Sequence, residues 1–229
     1  QNIDFFEINF KNILVVDSVA LYGELISYTH INNLISIPAN HLDNNGGYDF
    51  DIDIDFHGSP PECGFGSFVF DQHDNQNHVW TLSEPYGARC WWPCKDDPSD
   101  KADSIYIAIT VPGHQIVASN GLLHSIDTLG HGKKRYQWRE LYPIPTYLVS
   151  IAIYPYTVWY DQFVSANGDT MPIDFYVYPD NYDISRPNFL LVKDMLDVFS
   201  EKFGEYPFLR EKYGHANFGW GGGMEHQTI

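Results

Sequence analysis

Between Tyr48 and Phe56 the chain alternates strictly, with Tyr48, Phe50, Ile52, Ile54 and Phe56 set between Asp49, Asp51, Asp53 and Asp55. A period of two puts successive side chains on opposite faces, so the segment predicts a strand with one face in the core and one in water. Alternating acids also suggest calcium, but a calcium loop needs a tight turn that converges its carboxylates, and an extended strand spreads them. The same period recurs in Ile105, Ile107, Ile109 and Val111. Leu148 to Tyr154 and Ile173 to Tyr178 are β-branched or aromatic runs bounded by Pro, Gly or Asn. Strands with turn signals dominate to about residue 180, which predicts an antiparallel sandwich or saddle-like sheet filled by large aromatics.

The pattern changes near Ser185. Ser185 and Pro187 offer a cap and a first-turn proline ahead of Val192, Met195, Leu196, Phe199 and Phe203 at helical spacing. One amphipathic helix is expected, stopped by Gly204, with Pro207 barring its continuation. The chain then runs through Gly219-Trp220-Gly221-Gly222-Gly223-Met224-Glu225-His226, read as a glycine-rich strand end. A helix and such a strand after an all-strand region predict two domains: residues 1–182, mainly β, and residues 183–229, the start of a second, truncated α/β domain.

Composition narrows the function. Thirteen Lys and Arg against thirty Asp and Glu give a formal charge of −17, a field that repels nucleic acid and anionic lipid surfaces. No run approaches the roughly 20 apolar residues of a membrane span. Gln1 opens neither a signal peptide nor an initiator methionine and reads as a processing boundary. Cys63, Cys90 and Cys94 match no four-ligand zinc spacing; one bridge with a free thiol and three reduced thiols both fit them.

Gly221 to Gly223 leave the main chain open for another backbone to approach, and Glu225 just beyond suits the cationic end of a peptide. On its own such a segment favours a bulge or a flexible turn. A second segment changes the reading: Glu84-Pro85-Tyr86-Gly87-Ala88-Arg89, then Pro93-Cys94-Lys95-Asp96-Asp97-Pro98 and Lys101-Ala102. This order resembles the aminopeptidase N family of zinc metallopeptidases, the gluzincins. Their downstream Gly-x-Met-Glu-Asn motif has a counterpart in Gly222-Gly223-Met224-Glu225-His226. Val117-Ala118-Ser119-Asn120-Gly121 and Tyr206-Pro207-Phe208 extend the resemblance.

The resemblance implies an N-terminal β domain followed by a thermolysin-like catalytic domain, with extra strands usual before the position of Gln1, so that the first sheet carries an unpaired edge. It implies that Glu84 and Glu225 bind the free α-amino group of a peptide substrate, while the backbone of Gly222, Gly223 and Met224 lies along it. Two departures stand out: His226 replaces the usual asparagine, and Leu82 stands where glutamine is frequent. Arg89 with Asp97 reads as a loop-pinning ion pair, and Trp91 and Trp92 as core.

Hydrolysis in this family needs a helical His-Glu-x-x-His, whose histidines face one zinc and whose glutamate activates its water. None of the ten histidines here precedes a glutamate. Zinc is therefore expected in the complete enzyme and not on this chain, which is expected to be inactive alone and completed by the remainder of the catalytic domain. His215 and His226 read as hydrogen-bonding loop residues. A non-catalytic binding or scaffold module is the rival reading. An acidic, lysine-poor chain would suit an exported enzyme if Cys63 and Cys90 form the bridge, although cytosolic members of the family exist.

Overall fold

A computed structural model describes residues 4–41 and 49–229. Tyr48 of the expected strand lies outside these residues. The chain forms two compact units, Gln1–Val69 with Leu82–Asp100, and Phe70–Thr81 with Lys101–Ile229.

In the first unit, β1 (Phe5–Asn9), β4 (Thr29–Ile31) and β5 (Leu34–Pro38) make one antiparallel sheet in the order β1-β5-β4. A second, in the order β3-β2-β6, contains β2 (Val15–Leu21), β3 (Glu24–Leu25) and β6 (Ile52–His57). Ile52 and Ile54 turn inward while Asp53 and Asp55 are exposed, as the alternation predicts. Tyr22-Gly23 and Asn32-Asn33 join hairpin strands with positive φ at both positions, the geometry that matches strand twist in a two-residue turn. Ile8, Phe10, Leu14, Val16, Val19, Ile35 and Ile37 form the core.

The chain enters the second unit within β7 (Ser67–His73), turns at Asp74-Asn75 and returns along β8 (Gln76–Leu82). These strands join β10 (Ile116–Ser119) and β13 (Ile151–Tyr154) in the order β10-β13-β8-β7. β9 (Ile105–Pro112), β11 (Leu122–Leu129) and β12 (Lys133–Glu140) form a sheet in the order β11-β12-β9. Along β9, Ile105, Ile107, Ile109 and Val111 turn inward, again as expected. A third sheet pairs β14 (Thr157–Val164) antiparallel to β15 (Thr170–Val177), and β15 parallel to β16 (Tyr213–Ala216). Tyr136, Trp138, Tyr154, Tyr156, Tyr176 and Tyr178 fill the space between sheets, so the aromatic richness goes into the core. The fold is mainly β with a short helical region near the end, in agreement with the sequence.

Two helices replace the single one expected: α1 (Tyr182–Phe189) and α2 (Val192–Phe203). Pro187 sits inside α1 rather than in its first turn, and the cap position is Asn181 rather than Ser185. Proline has no N–H to continue the ladder, and Leu191 N–H bonds back only to Asn188 O, a tighter turn that separates the helices. Gly204, at φ +96°, ends α2 as predicted. The apolar face is split: Val192 and Leu196 pack on Phe163, Met171, Ile173 and Phe175, while Met195, Phe199 and Phe203 stay exposed.

Candidate functional site

Residues 84–98 of the upstream motif lie in the first unit. Ser83 is buried; its hydroxyl donates to Ser67 O and accepts the Trp91 indole N–H at 3.0 Å. The Ser67 hydroxyl donates to Gly87 O, and Gly87 N–H bonds Ser83 O at 2.8 Å. These bonds close a tight turn that carries Glu84, half-buried, at its start. Leu82 is buried at the end of β8, a core residue. Cys63 and Cys90 form a disulfide and Cys94 is a buried free thiol, which decides between the two states left open.

The ion pair of this loop is Arg89 with Asp96, 2.8 Å apart, not Arg89 with Asp97. The Asp96 carboxylate is fully buried, whereas Asp97 faces solvent and accepts bonds from the Ser99 backbone and hydroxyl, which hold its pKa down. A buried carboxylate needs the cation; an exposed one does not. Trp91 and Trp92 are half-buried rather than core.

The downstream motif lies in the second unit, in a loop held at both ends. At its start, Asn217 N–H bonds Tyr176 O at 2.9 Å, its side-chain oxygen accepts Tyr178 N–H at 3.0 Å, and its carbonyl accepts the Tyr156 hydroxyl at 2.7 Å. At its end, Asn120 Nδ2 donates to Gln227 O at 2.6 Å and Gly121 N–H to Thr228 Oγ1 at 2.7 Å. Lys212 Nζ, fully buried, donates to Ser119 O at 2.9 Å and Thr228 O at 3.0 Å. The Thr228 hydroxyl also meets Glu140 Oε2 at 3.1 Å.

This clamp is rich in buried charge. Glu211 Oε1 accepts Leu141 N–H at 2.6 Å; burial, with the Glu140 carboxyl alongside, pushes Glu211 up to about 8 and favours its neutral form. Burial brings Lys212 down to about 8 against the pull of Asp174, Glu140 and Glu211. Of this clamp, only Ser119, Asn120 and Gly121 stand in a sequence motif, and there only as part of the resemblance.

Between the two anchors, Gly221 to Gly223 are exposed and form a bend, not the strand end expected, since β16 stops at Ala216. A Cβ on Gly221 or Gly223 would meet nothing. Glu225 is exposed, and with Gly222, Gly223, Met224, His226 and Trp80 it lines a cavity of about 920 Å³. His215 belongs to β16 rather than to a loop, with Nε2 2.9 Å from the Tyr213 hydroxyl. Burial lowers His215 and His226 to about 4, and His226 Nε2 has no hydrogen-bond partner in the protein. Both imidazoles are neutral at pH 7.

Among the described residues no three His, Cys, Asp or Glu side chains converge as metal ligands would. Among the same residues no helix is long and apolar enough to cross a membrane.

A family model described as the peptidase M1 N-terminal domain matches residues 3–148. Glutamyl aminopeptidase of Rattus norvegicus is 29% identical over 143 residues, 62% of this chain and 15% of that protein. Leucine aminopeptidase 2 of Vanderwaltozyma polyspora is 36% identical over 76 residues, 33% of this chain and 11% of that protein. The chain thus spans less than a sixth of the length of these curated relatives. Aminopeptidase A of Legionella pneumophila, solved with aspartic acid, is similar in fold with a TM-score of 0.78 at 17% identity, over 93% of this chain and 24% of that one. An M1 zinc metallopeptidase from Deinococcus radiodurans gives 0.72 at 21% identity, over 92% and 47%. With the family model matched over more than half of its length and the β architecture shared, the chain belongs to the peptidase M1 N-terminal domain family.

Proposed function

We propose that residues 1–182 are the N-terminal β domain and residues 183–229 the opening of the catalytic domain of a zinc aminopeptidase that releases amino acids from peptide N-termini. In this reading the chain holds the substrate: Glu225 and Glu84 take its α-ammonium, and the backbone of Gly222, Gly223 and Met224 lies along its first residues. The observation that carries it is an exposed carboxylate, Glu225, beside side-chain-free backbone at the rim of a 920 Å³ cavity, in a loop fixed at both ends.

Only a chain terminus carries an α-ammonium, so a carboxylate there selects the end of a peptide over its interior by charge-assisted hydrogen bonds. Supporting this, a Deinococcus radiodurans relative has been solved with a Tyr-Ser-Ala substrate bound. Among the described residues no His, Cys, Asp or Glu side chains converge as zinc ligands, and this reading assigns the metal and the hydrolytic step to the rest of the enzyme. The exposed Met195, Phe199 and Phe203 of α2 support a domain that continues beyond these elements.

The test is an NMR titration of the purified chain with leucinamide, which has the ammonium, and N-acetyl-leucinamide, which lacks it. The amides of residues 222–226 are expected to shift with the first only. Equal shifts with both would remove Glu225 as the amine anchor. The same preparation is expected to carry no stoichiometric zinc and to release no amino acid from aminoacyl reporters.

A further inference from the structure

At the open end of the β11–β12 hairpin lies a second cavity, of about 410 Å³, unconnected with the peptide reading. Its walls include Leu122, Leu123 and His124, three successive residues. A regular strand sends neighbours to opposite faces, so three in a row cannot share one wall. The bulge explains it: the pairing passes from Leu123 opposite Trp138 to Ser125 opposite Gln137, leaving His124 as the extra residue and re-aiming its side chain.

Arg139 and Arg210 complete the wall, with Leu141 and Tyr142. Arg210 Nε donates to the Tyr142 hydroxyl at 3.2 Å and its guanidinium lies over that ring, while Arg139 lies over Tyr106. Neither arginine has an ion pair among the described residues. In a chain with thirty acidic and thirteen basic residues, two arginines at one cavity with no ion pair among the described residues are conspicuous. Glu211 is the one acid in the wall; it is buried, its Oε1 is taken by Leu141 N–H at 2.6 Å, and burial shifts it toward its neutral form. Leu122, Leu123 and Leu141 are 40%, 38% and 67% exposed, an apolar surface beside the cations.

We propose that this cavity binds a monocarboxylate carried on a branched apolar body, with the carboxylate on Arg139 and Arg210 and the body on the three leucines. A guanidinium pairs a carboxylate through two parallel N–H bonds, and the leucines select acids with an apolar body over acetate. A free acid and the C-terminus of a peptide ending in leucine share this chemistry.

The test is an NMR titration of the full chain at pH 7 with 4-methylpentanoate, acetyl-Ala-Leu, its C-terminal amide, and acetate. Saturable shifts of residues 122–124 and 139–142 are expected with at least one of the first two, and the tighter of them names the source. Arg139→Gln and Arg210→Gln are each expected to weaken binding about five-fold, the scale of a partly solvated ion pair. Both positions are exposed, so an unchanged spectrum elsewhere shows that the variants fold. Equal binding of the amide, acetate binding as tightly as the larger acids, absence of saturation with either large acid, or full affinity in both variants would overturn the proposal.

Discussion

His78 Nδ1 lies 3.1 Å from the hydroxyl of Tyr178. The other ring nitrogen lies 3.2 Å from the Tyr156 hydroxyl, which spends its single proton on Asn217 O. Tyr156 must therefore accept from His78 Nε2–H, and this leaves Nδ1 as the acceptor for Tyr178. The neutral imidazole is thus built into the wall that holds Tyr178 and Asn217 beside the glycine-rich loop.

Acid is expected to undo this wall. Burial lowers His78 to about 4 from an ordinary 6.5, so the folded state binds fewer protons than the unfolded one. A depressed histidine pKa contributes stability that is complete above about 6.5 and declines as pH falls toward 4. The loss is about 3 kcal/mol from this group, at 1.36 kcal/mol per unit. Urea denaturation at pH 7 and pH 5 is expected to show about 2 kcal/mol of it, with a shallower dependence in His78→Phe. Equal slopes in both proteins would mean that His78 does not titrate in this range.

Lys212→Met is expected to destabilise the second unit by about 3 kcal/mol or more. It removes the donor to Ser119 O and Thr228 O and leaves the buried acids Glu140 and Asp174 without their nearest cation. Because Thr228 is released, amide hydrogen exchange at residues 222–228 should accelerate more than in the β11–β12 hairpin. Uniform acceleration would show that Lys212 serves the whole unit and not the loop.

Glycines near the site are expected to divide sharply. Gly121 has φ +68°, and a Cβ there would overlap the Arg139 carbonyl, so Gly121→Ala should cost more than about 2 kcal/mol. Gly221 has ordinary φ and open space, so Gly221→Ala should fall within about 0.5 kcal/mol of the parent. Thermal denaturation of the two variants checks both values.

How legible these features were depended on their physics. Ile105 to Val111 and Ile52 to Ile54 betray themselves because half-buried strands repeat every two residues, although the same period also put Phe56, which is exposed, on the core face. The motif residues Glu84 and Glu225 were legible as motifs, whereas Lys212, Glu140 and Glu211 belong to no motif, and their charge gives no sign of burial because charge usually stays wet. Their burial was decided by partners far along the chain, such as Ser119 for Lys212. Arg89 was assigned to Asp97 because adjacent acids differ only in which side of the loop they face. In α2, helical spacing identified apolar residues but not which of them, Leu196 or Phe199, meets the sheet.

In the complete enzyme, Glu225→Ala is expected to remove most activity on free-amine substrates while leaving zinc content unchanged. The carboxylate is argued to position the ammonium, so its loss should appear in kcat/KM. A lost charge-assisted contact is worth about 2–4 kcal/mol in the transition state, or roughly 30- to 1000-fold. An N-acetylated peptide has no ammonium to lose, so its poor turnover should barely change. Comparing one peptide in free and acetylated forms, with both enzymes and a zinc analysis, separates the roles. Selective loss on the free amine supports the anchor; equal losses on both peptides, or loss of zinc, would assign Glu225 to loop structure or to the metal instead.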